Sequence, residues 1–277
     1  MHAMLLNGSL IDLSKPVVMG ILNVTPDSFF DGRQYSTSEQ IAQRALHIKN
    51  EGAAIIDIGA YSSRPGAQDI SAKEEIDRLL PALETVRNVL PDFSISIDTF
   101  RSKVVETVFK HFGGIIVNDI SGGELDKEMP HVVGHHKLPY ICMHMRGTPQ
   151  TMQNDTHYEN LMNEIIDYFS FKLRLFHQAG INDVIIDPGF GFSKTTAHNF
   201  ELLSKLEYLR LLDVPVLAGL SRKSMIWKTL EIEPSEALNG TTALNMVALQ
   251  KGAKILRVHD VREAMQTIRL FRELSAC

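Results

Sequence analysis

Val184-Ile185-Ile186-Asp187-Pro188-Gly189-Phe190-Gly191-Phe192 is the stretch on which the reading of this chain turns. A short run of β-branched apolar residues reads as a strand buried on both faces, and the carboxylate that follows stands at its mouth. Gly189 and Gly191 free the next turn of Cβ atoms, so backbone can approach a flat ligand closely. Phe190 and Phe192 are placed to cover that ligand's faces. The pattern predicts a floor for a heterocycle, followed by a helical segment from about His198.

The same unit recurs along the chain. Apolar runs that read as buried strands occur at 17–22, 54–58, 94–97, 115–117, 139–143, 184–186, 215–218 and 254–258. Segments of helical periodicity separate or follow them at 39–50, 72–89, 103–111, 125–136 (weak), 158–178, 200–212, 235–250 and 262–274. Strand and helix alternating in this way predict an α/β fold, one closed parallel (β/α)8 barrel taking residues 1–277 as a single domain. The rival is a doubly wound open sheet, which loses ground because no Gly-x-Gly-x-x-Gly follows the first strand.

Composition narrows the function. At 277 residues, 44% of them hydrophobic, the chain is long enough to bury a full-sized core. A net charge of -5 and the lack of any lysine or arginine run give no electrostatic footprint for nucleic acid. Cys142 lies within an apolar run and reads as core, and with Cys277 it makes no disulfide framework, as suits a reducing cytosol. No apolar stretch approaches the ~20 residues that span a membrane, and the N-terminus has no signal-peptide pattern. The expectation is a soluble, unexported cytoplasmic protein.

In a parallel barrel the chemistry is built where the strands end. The residues at or just past the ends of the apolar runs are Asn23, Asp57, Asp98, Asn118 with Asp119, His144, Asp187, Gly219 with Ser221-Arg222-Lys223, and Arg257 with His259 and Asp260. Carboxylates and amides crowd the early strands, while arginine, lysine and histidine arrive late. Such a set suits a ligand with an amide-like heterocyclic edge and an anionic group. His135-His136 and Met143-His144-Met145 lack the spacing of a metal site and read as helix-end and packing residues. Lys223 at a seventh strand also leaves Schiff-base chemistry open as a rival.

Longer blocks carry a family likeness. Met19 to Gly32, Met-Gly-Ile-Leu-Asn-Val-Thr-Pro-Asp-Ser-Phe-Phe-Asp-Gly, resembles the first signature of the dihydropteroate synthases. Gly59 to Gly66, ending Ser62-Ser63-Arg64-Pro65-Gly66, resembles the second. Asp187 to Lys194, Ser221-Arg222-Lys223-Ser224 and Arg257-Val258-His259-Asp260 resemble the remaining blocks, in order and at barrel spacing.

The resemblance implies a TIM barrel and a homodimeric transferase of folate biosynthesis. Such an enzyme joins 6-hydroxymethyl-7,8-dihydropterin diphosphate to 4-aminobenzoate and releases diphosphate. It also implies roles by position. Asp98, Asn118, Ile120, Met143, Asp187, Phe192, Gly219, Lys223 and Arg257 would bind the pterin. Asp187 suits the ring's guanidine-like edge of donors, and Asn118 offers a donor and an acceptor to the same edge. Asn23, Ser63, Arg64, Arg257 and His259 would hold the diphosphate, with Asn23 also at the Mg²⁺ position. Phe29, Pro65, Phe192, Lys223 and Ser224 would border 4-aminobenzoate, and Asp98, Lys223, Asp31 and Arg64 would be catalytic.

The chain departs from that pattern at three places. Ser63 stands where most relatives have threonine, Tyr61 where they have an acid, and Phe30 where they have a small polar residue. The segments 23–35 and 60–71, rich in Gly, Pro, Ser and Asp, are candidate lids that would complete a second pocket. Two other functions fit a related pocket: a barrel using methyltetrahydrofolate for methyl transfer, and a pterin-binding barrel without catalysis.

Overall fold

Side chains along a strand alternate between its two faces, and here that alternation sorts the whole molecule. The computed structural model describes residues 3–6, 9–25, 37–62 and 69–276. An antiparallel hairpin comes first, β1 (Ala3–Leu6) paired with β2 (Ser9–Asp12). Then follow β3 (Val17–Asn23), α1 (Ser38–Asn50), β4 (Ile55–Gly59), α2 (Ala72–Val89), β5 (Ser94–Asp98) and α3 (Ser102–Phe112). The chain continues through β6 (Ile116–Asp119), α4 (Met129–His135), β7 (Tyr140–Met143), α5 (Leu161–Gln178), β8 (Val184–Asp187) and α6 (Thr196–Ser204). It ends with β9 (Leu217–Ala218), α7 (Ser224–Leu230), α8 (Leu238–Gln250), β10 (Ile255–Val258) and α9 (Val261–Ala276).

Strands β3 to β10 pair in parallel in the order β8-β7-β6-β5-β4-β3-β10-β9. The ring closes between β8 and the residue before β9, by a parallel bridge from Ile186 to Val216 and a 3.0 Å bond from the Ile186 N–H to the Pro215 carbonyl. This is a TIM barrel, and the open-sheet alternative is ruled out by the closure.

Met19, Ile55, Ile116, Ile141, Ile185, Leu217 and Ile255 point inward and pack together low in the barrel. The hairpin closes that end, with Met4, Leu6, Ile11 and Leu13 joining the same cluster. Neighbours one residue along, such as Val18, Ile56, Val117, Ile186 and Leu256, face outward into the core shared with the helices. Each fully buried branched side chain contributes about 1.5–3 kcal/mol, so this pattern fixes the register firmly. Two residues up from the inward hydrocarbon layer, the same face carries Asp57, Asn118, Met143, Asp187, Gly219 and Arg257. The top of the barrel is therefore polar for the same geometric reason that its bottom is oily.

The helices that follow residues 26–36 and 63–68, both outside the described residues, have firm starts. Thr37 caps α1 by accepting from the Gln40 N–H at 3.3 Å, and Ser71 caps α2 by accepting from the Glu74 N–H at 3.1 Å.

Two helical expectations change. The segment 200–212 is not one helix: α6 ends at Ser204, and a 3-10 stretch, Leu206–Leu212, follows. Leu206 and Leu209 are both buried, and a spacing of three suits the tighter turn. Helix α8 starts at Leu238, behind a separate 3-10 turn at Pro234–Glu236. The sequence showed neither the hairpin nor α7. No helix among the described residues is long and apolar enough to cross a membrane.

Candidate active site

Two charged groups of neighbours face each other across the barrel mouth. On one side Arg257, from the end of β10, donates through Nε to Asp57 Oδ2 at 2.6 Å and through Nη2 to Asp98 Oδ2 at 2.7 Å. Asn118, from β6, donates through Nδ2 to the same Asp57 oxygen at 3.1 Å. Burial pushes Asp98 up to about 7; Arg257 opposes that rise, and Asp57 adds to it by like-charge repulsion. Burial works against the charge on Arg257, but Asp57 and Asp98 outweigh it and hold the guanidinium firmly protonated.

Asp187 and Lys223 form the other side. Asp187 Oδ1 accepts from the Gly189 N–H at 2.8 Å. Its Oδ2 and the Lys223 Nζ both lie 3.8 Å from the point where a Cβ on Gly219 would stand, so the two charged groups converge on that glycine. Burial raises Asp187, with Lys223 pulling it back, and burial lowers Lys223 to about 8, with Asp187 opposing. Lys223 also donates to the Phe190 carbonyl and lies 4.7 Å from the centre of the Phe192 ring.

The Gly189–Phe192 turn is held from below. Gly189 and Gly191 have φ of +73° and +82°, and a Cβ on Gly189 would stand 2.1 Å from the His144 carbonyl oxygen. Lys194, fully enclosed, points Nζ at the carbonyls of Gly189 and Phe192 and at His144 Nδ1, each at 3.1 Å. Burial lowers this lysine to about 7, against the pull of Asp187. Asn199 of α6 accepts from the Gly191 N–H at 2.7 Å.

The two glycines are required by the turn itself, and only one of the two phenylalanines takes the place expected of both. Phe190 is fully buried in the outer core against the helices, and only Phe192 reaches the mouth. There Phe192 joins Phe100, Ile120, Met143, Met145 and Met152 in an apolar wall. Ile120 and Met143 were expected on this wall; Phe100, Met145 and Met152 were not.

The residue before Lys223 is anchored on several sides. Arg222 takes a left-handed φ of 53°, and its guanidinium grips both oxygens of Asp260 at 2.9 Å. Further bonds run from Arg222 to the carbonyls of Pro234 and Ser235, and its N–H donates to Thr241 Oγ1 at 3.0 Å. His259 Nδ1 lies 3.0 Å from Ser221 Oγ, and Ser224 opens α7. Asn23 ends β3, and its Oδ1 lies 3.3 Å from the place of a Cβ on Gly59, as does the Asp98 Cβ.

Three strand-end residues turn away from the mouth. Asp119 faces outward and accepts from Tyr140 Oη at 2.6 Å, from Ser121 and from the Gly123 N–H, shaping the loop after β6. His144 supports Lys194, and Asp260 is taken by Arg222. Phe29, Asp31, Ser63, Arg64 and Pro65 lie outside the described residues, as does Phe30. Tyr61, where an acid was expected, packs edge-on against Phe100 and under the guanidinium of Arg101, which pairs with Glu75 and Asp69 instead.

Residues 19–259 match the family model described as pterin binding enzyme. The chain is 40% identical over 269 residues to the dihydropteroate synthase of Escherichia coli K12, covering 95% of this chain and 93% of that one. Among solved structures it is similar to the Yersinia pestis dihydropteroate synthase in a sulfonamide complex, at a TM-score of 0.94 and 38% identity over 100% of both chains. The Xanthomonas albilineans dihydropteroate synthase, solved with 4-aminobenzoic acid, matches at a TM-score of 0.89 and 36% identity, covering 98% of this chain and 97% of that one. The chain belongs to the pterin-binding enzyme family and, within it, to the dihydropteroate synthases, transferases that make 7,8-dihydropteroate.

Proposed function

We propose that the ring of 6-hydroxymethyl-7,8-dihydropterin diphosphate lies across the mouth between Asp187, Lys223 and Asn118. The observation that carries this is the convergence of Asp187 Oδ2 and Lys223 Nζ on Gly219, each 3.8 Å from where its Cβ would stand. A carboxylate there accepts from the two donors of the ring's guanidine-like edge, and the ammonium donates to the carbonyl side. Ile120, Met143 and Phe192 cover a ring face with hydrocarbon and an aromatic plane. Gly219 leaves room for the ring, and Arg257 borders it beside Asp98.

The bond from the exocyclic methylene to the diphosphate oxygen breaks, and the amine nitrogen of 4-aminobenzoate bonds to that carbon and loses a proton. Positive charge grows on the pterin as diphosphate leaves. Asp98, when ionised, stabilises that charge from a site where burial makes the interaction strong. Asn23, Ser63, Arg64, Arg257 and His259 receive the diphosphate, with Arg257 sharing its charge with Asp57 and Asp98. Phe29, Pro65, Phe192, Lys223 and Ser224 border 4-aminobenzoate, and Asp31 and Arg64 complete the catalytic group.

Asn23 is the candidate Mg²⁺ ligand. Its amide oxygen and the Asp98 side chain both lie close to the bare Cα of Gly59, a cradle that a Cβ would fill. Mg²⁺ keeps most of its waters and takes few protein oxygens, so one amide beside substrate phosphates fits it. The ion, when bound, would neutralise phosphate charge. The likeness to the family supports a cytoplasmic homodimer.

A coupled assay for diphosphate release from the pterin diphosphate and 4-aminobenzoate tests the reading. Release that depends on both substrates supports it, and release that ignores 4-aminobenzoate counts against it. A methyl-transfer barrel would instead demethylate methyltetrahydrofolate.

A further inference from the structure

Asp57 is the inward residue of β4, fully buried beneath the mouth, and among the described residues no partner meets its Oδ1. Its Oδ2 receives two bonds, from Arg257 Nε at 2.6 Å and from Asn118 Nδ2 at 3.1 Å. The two donors come from β10 and β6, on opposite sides of β4 in the barrel order. Both are residues to which the reading above gives a place beside the pterin.

We propose that Asp57 is a positioning residue: it locks the Asn118 amide and the Arg257 guanidinium into one mutual arrangement, and so fixes what each presents to the pterin ring. This rests on the assignment of the mouth as the pterin site. A carboxylate only accepts, so the Asn118 end that meets it is the NH₂, and the Asn118 carbonyl is left to receive a ring donor. Without Asp57 the amide is free to turn over and offer a donor to a donor. Arg257 has a second obligation, since Nη2 holds Asp98 at 2.7 Å, and the Nε bond to Asp57 sets the plane in which that hand-off occurs. Asn118, Asp57, Arg257 and Asp98 thus form one chain of bonds across four strands, and a shift at one end is felt at the other.

The alternative is that Asp57 merely neutralises Arg257. Charge neutralisation alone would need no bond to Asn118, and it would leave Asn118 and Arg257 energetically independent. The test is a pair of double-mutant cycles on the full chain, read as kcat/KM for the pterin diphosphate, with KM for 4-aminobenzoate followed in parallel. In the first, Asp57→Asn, Asn118→Ala and the double variant are compared. Asp57→Asn is expected to lower kcat/KM about 10²-fold, as loss of a charge-assisted pair does, while KM for 4-aminobenzoate stays within twofold. The double variant is expected to be no worse than about threefold below the poorer single one.

In the second cycle Asp57 is left intact, so the test survives if Asp57→Asn fails to fold. Asn118→Ala and Arg257→Ala, whose side chains among the described residues share Asp57 as a partner, are expected to combine to at least tenfold less than the product of their separate losses. Losses that multiply in whichever cycles fold would overturn the proposal. If the wild-type chain forms no dihydropteroate, the functional reading fails first, and that result is distinct from an active enzyme with independent residues.

Discussion

Arg257 and Asp98 stand on strands separated by two others, yet their side chains meet at 2.7 Å across the mouth of the barrel. In the proposed reaction, the group that attracts diphosphate is therefore bonded to the group that stabilises the pterin cation. Removing the guanidinium also leaves Asp57 without its counter-charge at full burial.

Arg257→Ala and His259→Ala should consequently behave differently, although sequence position alone gives both to the diphosphate. Arg257→Ala is expected to weaken the bare hydroxymethyl pterin as well as its diphosphate, the diphosphate more, and to destabilise the fold by about 3 kcal/mol through its unpaired buried partners. His259→Ala, whose Nδ1 lies 3.0 Å from Ser221 Oγ, should weaken the diphosphate-bearing ligand by about tenfold and leave the bare pterin nearly unchanged. Titration calorimetry with both ligands on both variants reads this directly.

The pH dependence follows from burial. Asp98 is pushed up to about 7 by desolvation, and it must be ionised to stabilise positive charge, so kcat/KM should rise through that pH. Lys223 is brought down to about 8 by the same cause, and it must be protonated to donate to the ring, so activity should fall above it. The profile should be a narrow bell. Lys223→Arg, whose side chain stays charged, should flatten the alkaline limb even where its overall rate is lower.

Gly59 is a second point of sensitivity. A Cβ there would stand 3.3 Å from both Asn23 Oδ1 and the Asp98 Cβ, tight enough that one of them must move. Gly59→Ala should cost about 1–3 kcal/mol of overpacking, felt as a rate loss of tenfold or more and as a weaker response to added Mg²⁺. Kinetics at several Mg²⁺ concentrations distinguish this from a general loss of stability, which would leave the Mg²⁺ response unchanged.

Much of this architecture is legible in the chain because period-two alternation is strict. Ile185 inward and Ile186 outward place Asp187 inward without further information, and the same parity places Asn118, Asp57 and Arg257. Of the misread residues, one lies where that parity stops and one where it was not applied. Phe190 follows Gly189, whose left-handed φ reverses the side-chain direction, and so it turns into the outer core. Asp119 lies one residue beyond Asn118 and faces the helices, although both are polar residues at a strand end. The supports for the site were silent because their partners are remote: Lys194 meets His144 across 50 residues, and Arg222 meets Asp260 across 38. Helix α7 is seven residues long, too short for its periodicity to register.

The claim that the pterin ring is held by Asp187 opposite Lys223 is tested most directly by titrating 6-hydroxymethylpterin into the wild type and Asp187→Asn in a calorimeter. The substitution keeps size and can keep the bond from the Gly189 N–H, but it turns one half of the side chain into a donor facing ring donors. The account predicts binding about 10²-fold weaker, the loss of ~3 kcal/mol that a charge-assisted pair represents. Equal affinity in the two proteins would contradict it.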